Sequence, residues 1–391
     1  MSNAYYYVRP TDSLFIRGNL AFGASGEHGS SLMPPPPSLF AGAFRSALLG
    51  KDAAQMTAFI ARHGRCTDPA MHRCLGTPAA PGEFGVTWVS LAVDSCGDAA
   101  PQAISPLPGD LLLLGKHFAI LEPRATALGV ASAGDLPMRA TLISAKQEKP
   151  TGGSYLRQAG LARHLAGQMP ADNERIESNH VHVRDPRLGI GLNVDSRTAE
   201  EGLIYTTEGF AFSPNNGQKS SAIASTGFLI GIDGVGDLLP AQGQLRLGGD
   251  GRSAIYKRVE FIAPLPPKMA NARFRLMLQT PALFELGWLP DGVTRQGDSY
   301  RLQGDGFAAR LACAALGRRE VVSGWDLYNW APKPAQAAVP AGGVYWFDQF
   351  QGDAGKLAAW VQAGMWPDNL DTLQQTRRAE GYNRALLGCW N

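Results

Sequence analysis

The sequence predicts an α+β protein built from two βαββαβ units, the first of them interrupted by a long insertion. Three observations carry that expectation. With 391 residues, the chain exceeds the length over which a single hydrophobic core keeps growing. Apolar residues make up 45% of it and charged residues 18%, alongside 46 glycines and 27 prolines, the balance of a loop-rich globular protein. Short runs with strand or helix character fill both halves, while between about 122 and 216 the pattern loosens into Gly, Pro, Asn and mixed charge, too long for an ordinary connection.

Taken in order, Tyr5 to Arg9 reads as a strand. Leu39 to Leu49 reads as a helix: Ser38 stands as its N-cap behind four prolines, Phe40, Phe44, Ala47 and Leu48 form one stripe, and Gly50 stops it. Gly85 to Val93 alternates imperfectly, with Val86 and Trp88 followed by Leu91 or Val93, which suggests a strand with a bulge. After the loose stretch come Gly227 to Asp233, Gln244 to Leu247 and Ala254 to Ile262, all β-like, until Pro264, Pro266 and Pro267 end this half. In the second half, Arg273 to Gln279 reads as a strand and Phe307 to Leu316 as a helix closed by Gly317. Glu320 to Ser323 and Gly343 to Phe347 follow as strands, Asp353 to Ala363 as a helix ending at Gly364, and Arg384 to Cys389 as a last strand. That succession is a ferredoxin-like unit. The first half reads as the same unit carrying the insertion, so the expected domains are residues 1–263, with the inserted segment at about 122–216, and residues 271–391.

Several function classes find no support. No apolar run reaches the roughly 18 residues of a membrane span, and the N-terminus lacks a basic segment followed by an apolar one, so a cytoplasmic protein without membrane contact is expected. Cys66, Cys74, Cys96, Cys313 and Cys389 are scattered and odd in number, which favours reduced thiols. His63, Cys66, His72 and Cys74 lie close together, but their spacing matches no usual zinc pattern. His180 and His182 alternate on a presumed strand without a third ligand of recognisable spacing. There is no Gly-x-Ser-x-Gly elbow and no paired-carboxylate signature of a two-metal nuclease, so neither catalytic residues nor a cofactor or metal is expected. The formal net charge of +2 means that any nucleic-acid site is local.

Three segments are candidates for such a site. In Leu245–Arg252, Gly248, Gly249 and Gly251 free the backbone to approach a ligand, and Arg246 and Arg252 add charge; a tight turn alone also explains the glycines. Phe15–Gly18, with Arg17, precedes the proline run and the helix carrying Arg45, an anion-friendly corner that also reads simply as a helix start. Gly189 to Tyr205, with Arg187 just before it and with Asn193, Arg197 and Thr198, mixes cationic, hydrogen-bonding and aromatic groups as single-stranded RNA requires; a solvated hairpin is the plainer reading.

Together these pieces resemble the RAMP superfamily of CRISPR proteins, and within it the family of third subunits of the Cmr, or type III-B, effector. Asp12–Gly18 and Pro35–Arg45 resemble the family's opening strand and first helix, Gly191–Tyr205 its most distinctive internal stretch, and Leu247–Arg252 its glycine-rich loop. Gly324–Leu327, Pro332–Pro334 and Val339–Tyr345 resemble its C-terminal domain, so the likeness runs in order through nearly the whole chain. The resemblance implies two ferredoxin-like domains and a non-catalytic role in antiviral defence. It further implies binding to the 5′ repeat-derived tag of the guide RNA (crRNA), and partnership with a large nucleotide-cyclase-like subunit and other RAMP subunits. With it, Arg17, Arg45, Arg197, Thr198, Arg246, Gly248, Gly249, Gly251 and Arg252 become the expected RNA-binding residues. The rival is a guide-processing endoribonuclease, since related RAMP proteins cut repeat RNA by acid–base chemistry; His28 would then be the base. A second rival is a bridge that touches only protein.

Overall fold

The computed structural model describes residues 3–16, 28–29, 31–61, 64–95, 100–125, 135–144, 148–212, 223–269, 271–326 and 328–391. In chain order its principal elements are β1 (Ala4–Pro10), α1 (Pro37–Leu49), β2 (Gly85–Ser95), β3 (Gln102–Pro106), β4 (Ser154–Arg157), α2 (Gln158–Leu165), β5 (Arg175–Glu177), β6 (Val183–Leu192) and β7 (Ala199–Ala211). They continue with β8 (Ile223–Asp233), β9 (Gln242–Arg246), β10 (Ser253–Val259), β11 (Phe274–Leu278), β12 (Val293–Gln296), β13 (Ser299–Gly304), β14 (Phe307–Ala315), β15 (Val344–Gly352), α3 (Ala354–Ala363), α4 (Thr372–Glu380) and β16 (Ala385–Cys389). The molecule is a strand-rich α/β mixture with several antiparallel sheets. Among the described residues, no helix is long and apolar enough to cross a membrane.

The first large sheet runs β9-β10-β1-β8-β2-β3-β4-β5, and the second β12-β13-β14-β15-β11-β16. Every strand of the first precedes Pro264 and every strand of the second follows it. Helix α1 packs on the first sheet. Pro37 opens it, where a missing N–H costs nothing, and Phe40 and Phe44 set their rings 4.9 Å from Phe228 and 5.6 Å from Tyr256. Ser38 is not the cap that its position suggests: Pro36 occupies that place, and the Ser38 hydroxyl shares a 3.1 Å hydrogen bond with the Tyr382 hydroxyl. The expected bulge is present in β2, where Gly231 pairs with Trp88 and Ile232 with Val86, leaving Thr87 extra.

The segment Phe307 to Leu316 is a strand, not a helix. Phe307, Ala309 and Leu311 turn to one buried face, and a bulge at Ala312 sends Cys313 to the other. Both faces of this sheet are covered, so the run is apolar apart from Arg310, which pairs with Asp348, and its alanines gave it helical character by composition alone. Glu320 to Ser323 also departs from expectation: Glu320–Val322 pairs with Gln336–Ala338 in a separate two-stranded ribbon and stays out of the main sheet. The second half therefore holds β14 where its first helix was expected, and the hairpin β12–β13 stands between β11 and β14. In the first half, β9 covers most of Gln244 to Leu247, which was expected to be β-like. His180 ends a short 3-10 turn, and His182 follows it outside any strand, so the alternation expected of these two histidines is absent.

The stretch from Leu111 to Leu165, which runs into the segment expected as the insertion, lies against the second sheet. Leu111, Leu113, Phe118, Leu161 and Leu165 pack with Met277, Val344, Trp346 and Trp390. A buried polar lock crosses this contact: His164 Nε2 donates to Asp110 at 2.8 Å, and Arg275 donates to the same carboxylate and to the His164 carbonyl. Burial alone would push the Asp110 carboxyl up, but the bonds from His164 and Arg275 outweigh it and hold it below the usual carboxylate range. Cys66, Cys74, Cys313 and Cys389 are buried free thiols, and Cys96 lies outside the described residues.

Candidate nucleic-acid interface

Distant parts of the chain meet at the glycine loop. Gly248 takes φ +81°, and a Cβ there would stand 2.7 Å from the Phe15 carbonyl oxygen and 2.8 Å from Leu14 Cδ1. Gly249 donates its N–H to the same carbonyl at 2.7 Å, and Leu247 N–H to the Arg252 carbonyl at 2.7 Å. The glycines thus close a tight turn that clasps the strand-like segment after β1. Because the Gly249 N–H is spent within the protein, it has no second bond to offer a phosphate.

Around that turn the charges are ordered. Two guanidinium groups lie over the Phe15 ring, Arg187 at 5.5 Å and Arg252 at 5.4 Å from its centroid. Arg252 pairs with Asp12 at 2.5 Å, and Arg187 reaches Asp185 at 2.8 Å and Asp12 at 3.4 Å. Ser13 Oγ donates to Asp185 at 2.5 Å. The Ser13 N–H, with Arg187 and Arg252, holds the Asp12 carboxyl below the usual range; the Ser13 hydroxyl and Arg187 do the same for Asp185. Arg246 is exposed one turn away, with no ion pair among the described residues. The result is an aromatic ring with two arginines held over it by two carboxylates that neutralise part of the charge, and a third, exposed arginine at the edge of the loop.

Of the expected RNA-binding residues, Arg246, Gly248, Gly249, Gly251 and Arg252 come together here. Arg197 and Thr198 sit instead at the exposed tip of the β6–β7 hairpin, where the Thr198 carbonyl accepts from Asn193 N–H at 3.0 Å and Arg197 takes φ +56°. From Arg187 to Leu192 the strand carries that tip roughly 17 Å from the cluster. Arg45 is half-buried on α1, donating to the Leu75 carbonyl at 3.3 Å, and burial lowers its pKa. Arg17 lies outside the described residues. Asp12 and Ser13 fall in the Asp12–Gly18 motif without being read as site residues, and Asp185 had no signal in the sequence, because their role is to hold two arginines contributed from far along the chain.

His182 is set within the insertion's own packing. Its Nε2 meets the Tyr155 hydroxyl at 2.6 Å, its ring packs on Phe210, and burial brings its pKa down to about 4. Among the described residues there is no group of three or more His, Cys, Asp or Glu that could hold a metal; His63, one member of the cluster read from the sequence, lies outside them.

A strand-rich α/β protein with an arginine–aromatic array at a glycine turn is the class of molecule that these features define. The chain belongs to the family described as CRISPR-associated protein (Cas_Cmr3), which matches residues 6–390. Among solved structures it is similar to a chain of a type III-B Cmr-beta complex bound to cognate target RNA and AMPPnP, with TM-score 0.50 and 14% identity over 97% of this chain and 95% of that one. A second structure, of Cmr-beta bound to cognate target RNA, gives TM-score 0.49 and 13% identity over 97% and 96%. No curated protein sequence matches the chain.

Proposed function

We propose that the chain is the RNA-holding, non-catalytic third subunit of a type III-B effector, gripping the 5′ tag of the guide RNA and docking the large nucleotide-cyclase-like subunit alongside other RAMP subunits in antiviral defence. The observation that carries this reading is the half-buried Phe15 ring with Arg187 and Arg252 over it, and exposed Arg246 at the edge of the same glycine loop: an aromatic ring with cations near it, the combination that binds single-stranded RNA. Family membership supports it. The strand orders support two ferredoxin-like domains divided near residues 264–268. In the first sheet, β10-β1-β8-β2 are the fourth, first, third and second core strands. In the second, β14-β15-β11-β16 are the second, third, first and fourth.

The test is tag-RNA affinity at two salt concentrations in the assembled complex. Arg252→Ala should weaken binding and flatten the slope of log affinity against log salt by about 0.7, the loss of one phosphate contact to a single strand, with little change in preference among tag sequences. Unchanged affinity and slope for both Arg252→Ala and Arg187→Ala would remove this face from the interface. Absence of catalysis is tested separately with purified chain and repeat RNA, where no site-specific cut is expected; a cut abolished by His28→Ala would overturn it.

A further inference from the structure

Outside the Phe15 array, the outward face of the first sheet carries a further set of cations. In β1, β9 and β10 the inward residues Val8, Leu245, Ala254 and Tyr256 belong to the core beneath α1, so by the strand's period of two Arg9, Arg246 and Lys257 stand on the opposite face. The register groups them around one residue. Ile255 lies opposite Arg9 on β1 and opposite Gln244 on β9, Lys257 follows it two positions along β10, and Arg246 stands two positions beyond Gln244. With strands about 4.8 Å apart and a rise of about 3.4 Å per residue, the three Cα atoms stand about 8–14 Å from one another. All three side chains are exposed, and none enters an ion pair among the described residues.

This face is divided in two. Toward β8 and β2 it is apolar and covered, where Tyr7, Trp88, Ala92 and Leu229 pack with Tyr5, Phe261, Ala263 and Leu386. Toward the edge strand β9 it is open: Gln244 and Ser253 add amide and hydroxyl donors to the three cations, and no carboxylate stands on this face of β1, β9 or β10. Asp94, two strands from β1, is opposite Ser225 and accepts from its hydroxyl at 3.4 Å. Three accessible positive charges with neutral donors between them complement a polyanion. Position favours RNA over an acidic protein. The glycine loop joins β9 to β10, so the open face begins where Arg252 lies over Phe15 and runs about 17 Å from there to Lys257. The two rings of this face, Tyr5 and Tyr7, are taken up in its covered half, which leaves no platform on which a base could stack.

We propose that the open half of this sheet face carries the sugar-phosphate backbone of bound RNA onward from the Phe15 array, past Arg246 to Arg9 and Lys257, as a track that holds phosphates without reading bases. The inference rests on the reading of that array as a guide-RNA site.

The experiment is fluorescence anisotropy on the purified full chain, comparing tag RNA with the same RNA lengthened by about eight nucleotides at its 5′ or its 3′ end, each at two salt concentrations. One of the lengthened RNAs should bind more tightly than the tag. Arg9→Gln combined with Lys257→Gln, which removes charge at exposed positions, should abolish that gain and lower the slope of log affinity against log salt by about 1.4, two contacts at about 0.7 each. The loss should be the same whatever bases the extension carries, and tag RNA alone should bind as before. If neither extension adds affinity, or if the double variant binds the lengthened RNA with unchanged affinity and slope, the track is overturned. It is equally overturned if the double variant keeps its RNA affinity and instead enters the effector complex poorly, the result of an acidic protein partner. Should the double variant lose the gain while Arg252→Ala and Arg187→Ala leave tag binding unmoved, the track stands and the tag site falls, so the two readings fail separately.

Discussion

Gly248 shows how a single position can be required twice. It takes φ +81°, a conformation that costs other residues free energy, and its missing Cβ leaves room for the Phe15 carbonyl and Leu14. Gly248→Val should therefore destabilise the protein by about 1–3 kcal/mol from the backbone alone, with the clash added, and displace Phe15 from beneath its arginines. Urea unfolding with tag-RNA binding on the same sample checks this: a loss of affinity at urea concentrations where the fold is intact is the expected outcome. Arg252→Ala should instead change stability by less than about 1 kcal/mol, because its pair with Asp12 is solvent-accessible. The two substitutions separate the turn's structural role from its charge.

The β6–β7 hairpin is an element whose pattern is legible and whose context is not. Burial alternates strictly along β6, as its period-two sequence requires, yet Leu188, Ile190 and Leu192 stand 68%, 50% and 60% exposed, and Val194 at the tip 88%. An apolar stripe left in water marks a surface used for contact. Replacing residues 189–205 by a two-residue Asn-Gly turn between the paired Leu188 and Thr206 should leave the melting temperature within a few degrees of the original, because the large cores are untouched, and should weaken incorporation into the effector complex. A cooperative loss of structure in circular dichroism would show that the hairpin is part of the folding unit. Strand β14 makes the opposite point: its sequence carries apolar residues on both faces, and only the two layers covering its sheet explain them.

At the scale of the molecule, the Asp110–His164–Arg275 lock ties the loop after β3 and helix α2 to the second sheet. Since the Asp110 carboxyl is held below its ordinary value, near 3.9 in the unfolded chain, its contribution to stability is fully present above that pH and is lost as the pH falls through the lower folded-state value. Thermal stability measured from pH 6 down to pH 3 should fall for the natural sequence. In Asp110→Asn that acid-dependent part should be smaller. Arg275→Met should cost about 3–5 kcal/mol at neutral pH by stranding a buried carboxylate, while a double replacement of Asp110 and Arg275 by apolar residues should recover part of the loss. Equal acid sensitivity of the natural sequence and Asp110→Asn would show that other carboxylates dominate.

Local chemistry determined much of this protein. The periodicity of β1, the proline entry and apolar stripe of α1, the caps of α3 at Asp353 and Gly364, and the run of β8 are short-range properties, set by residues within a few positions of one another, and they are readable as such. The family was readable too, because its motifs recur in order. Only the tertiary structure decided that Phe307–Ala315 is a strand, that Glu320–Val322 leaves the main sheet, and that Arg45 is packed against Leu75 while Arg187 joins Arg252 across Phe15. The reason is distance along the chain. Asp12, Asp185 and Arg252 are brought together by strand pairing and by closure of the glycine turn, and no local pattern records which far-off carboxylate will neutralise which arginine.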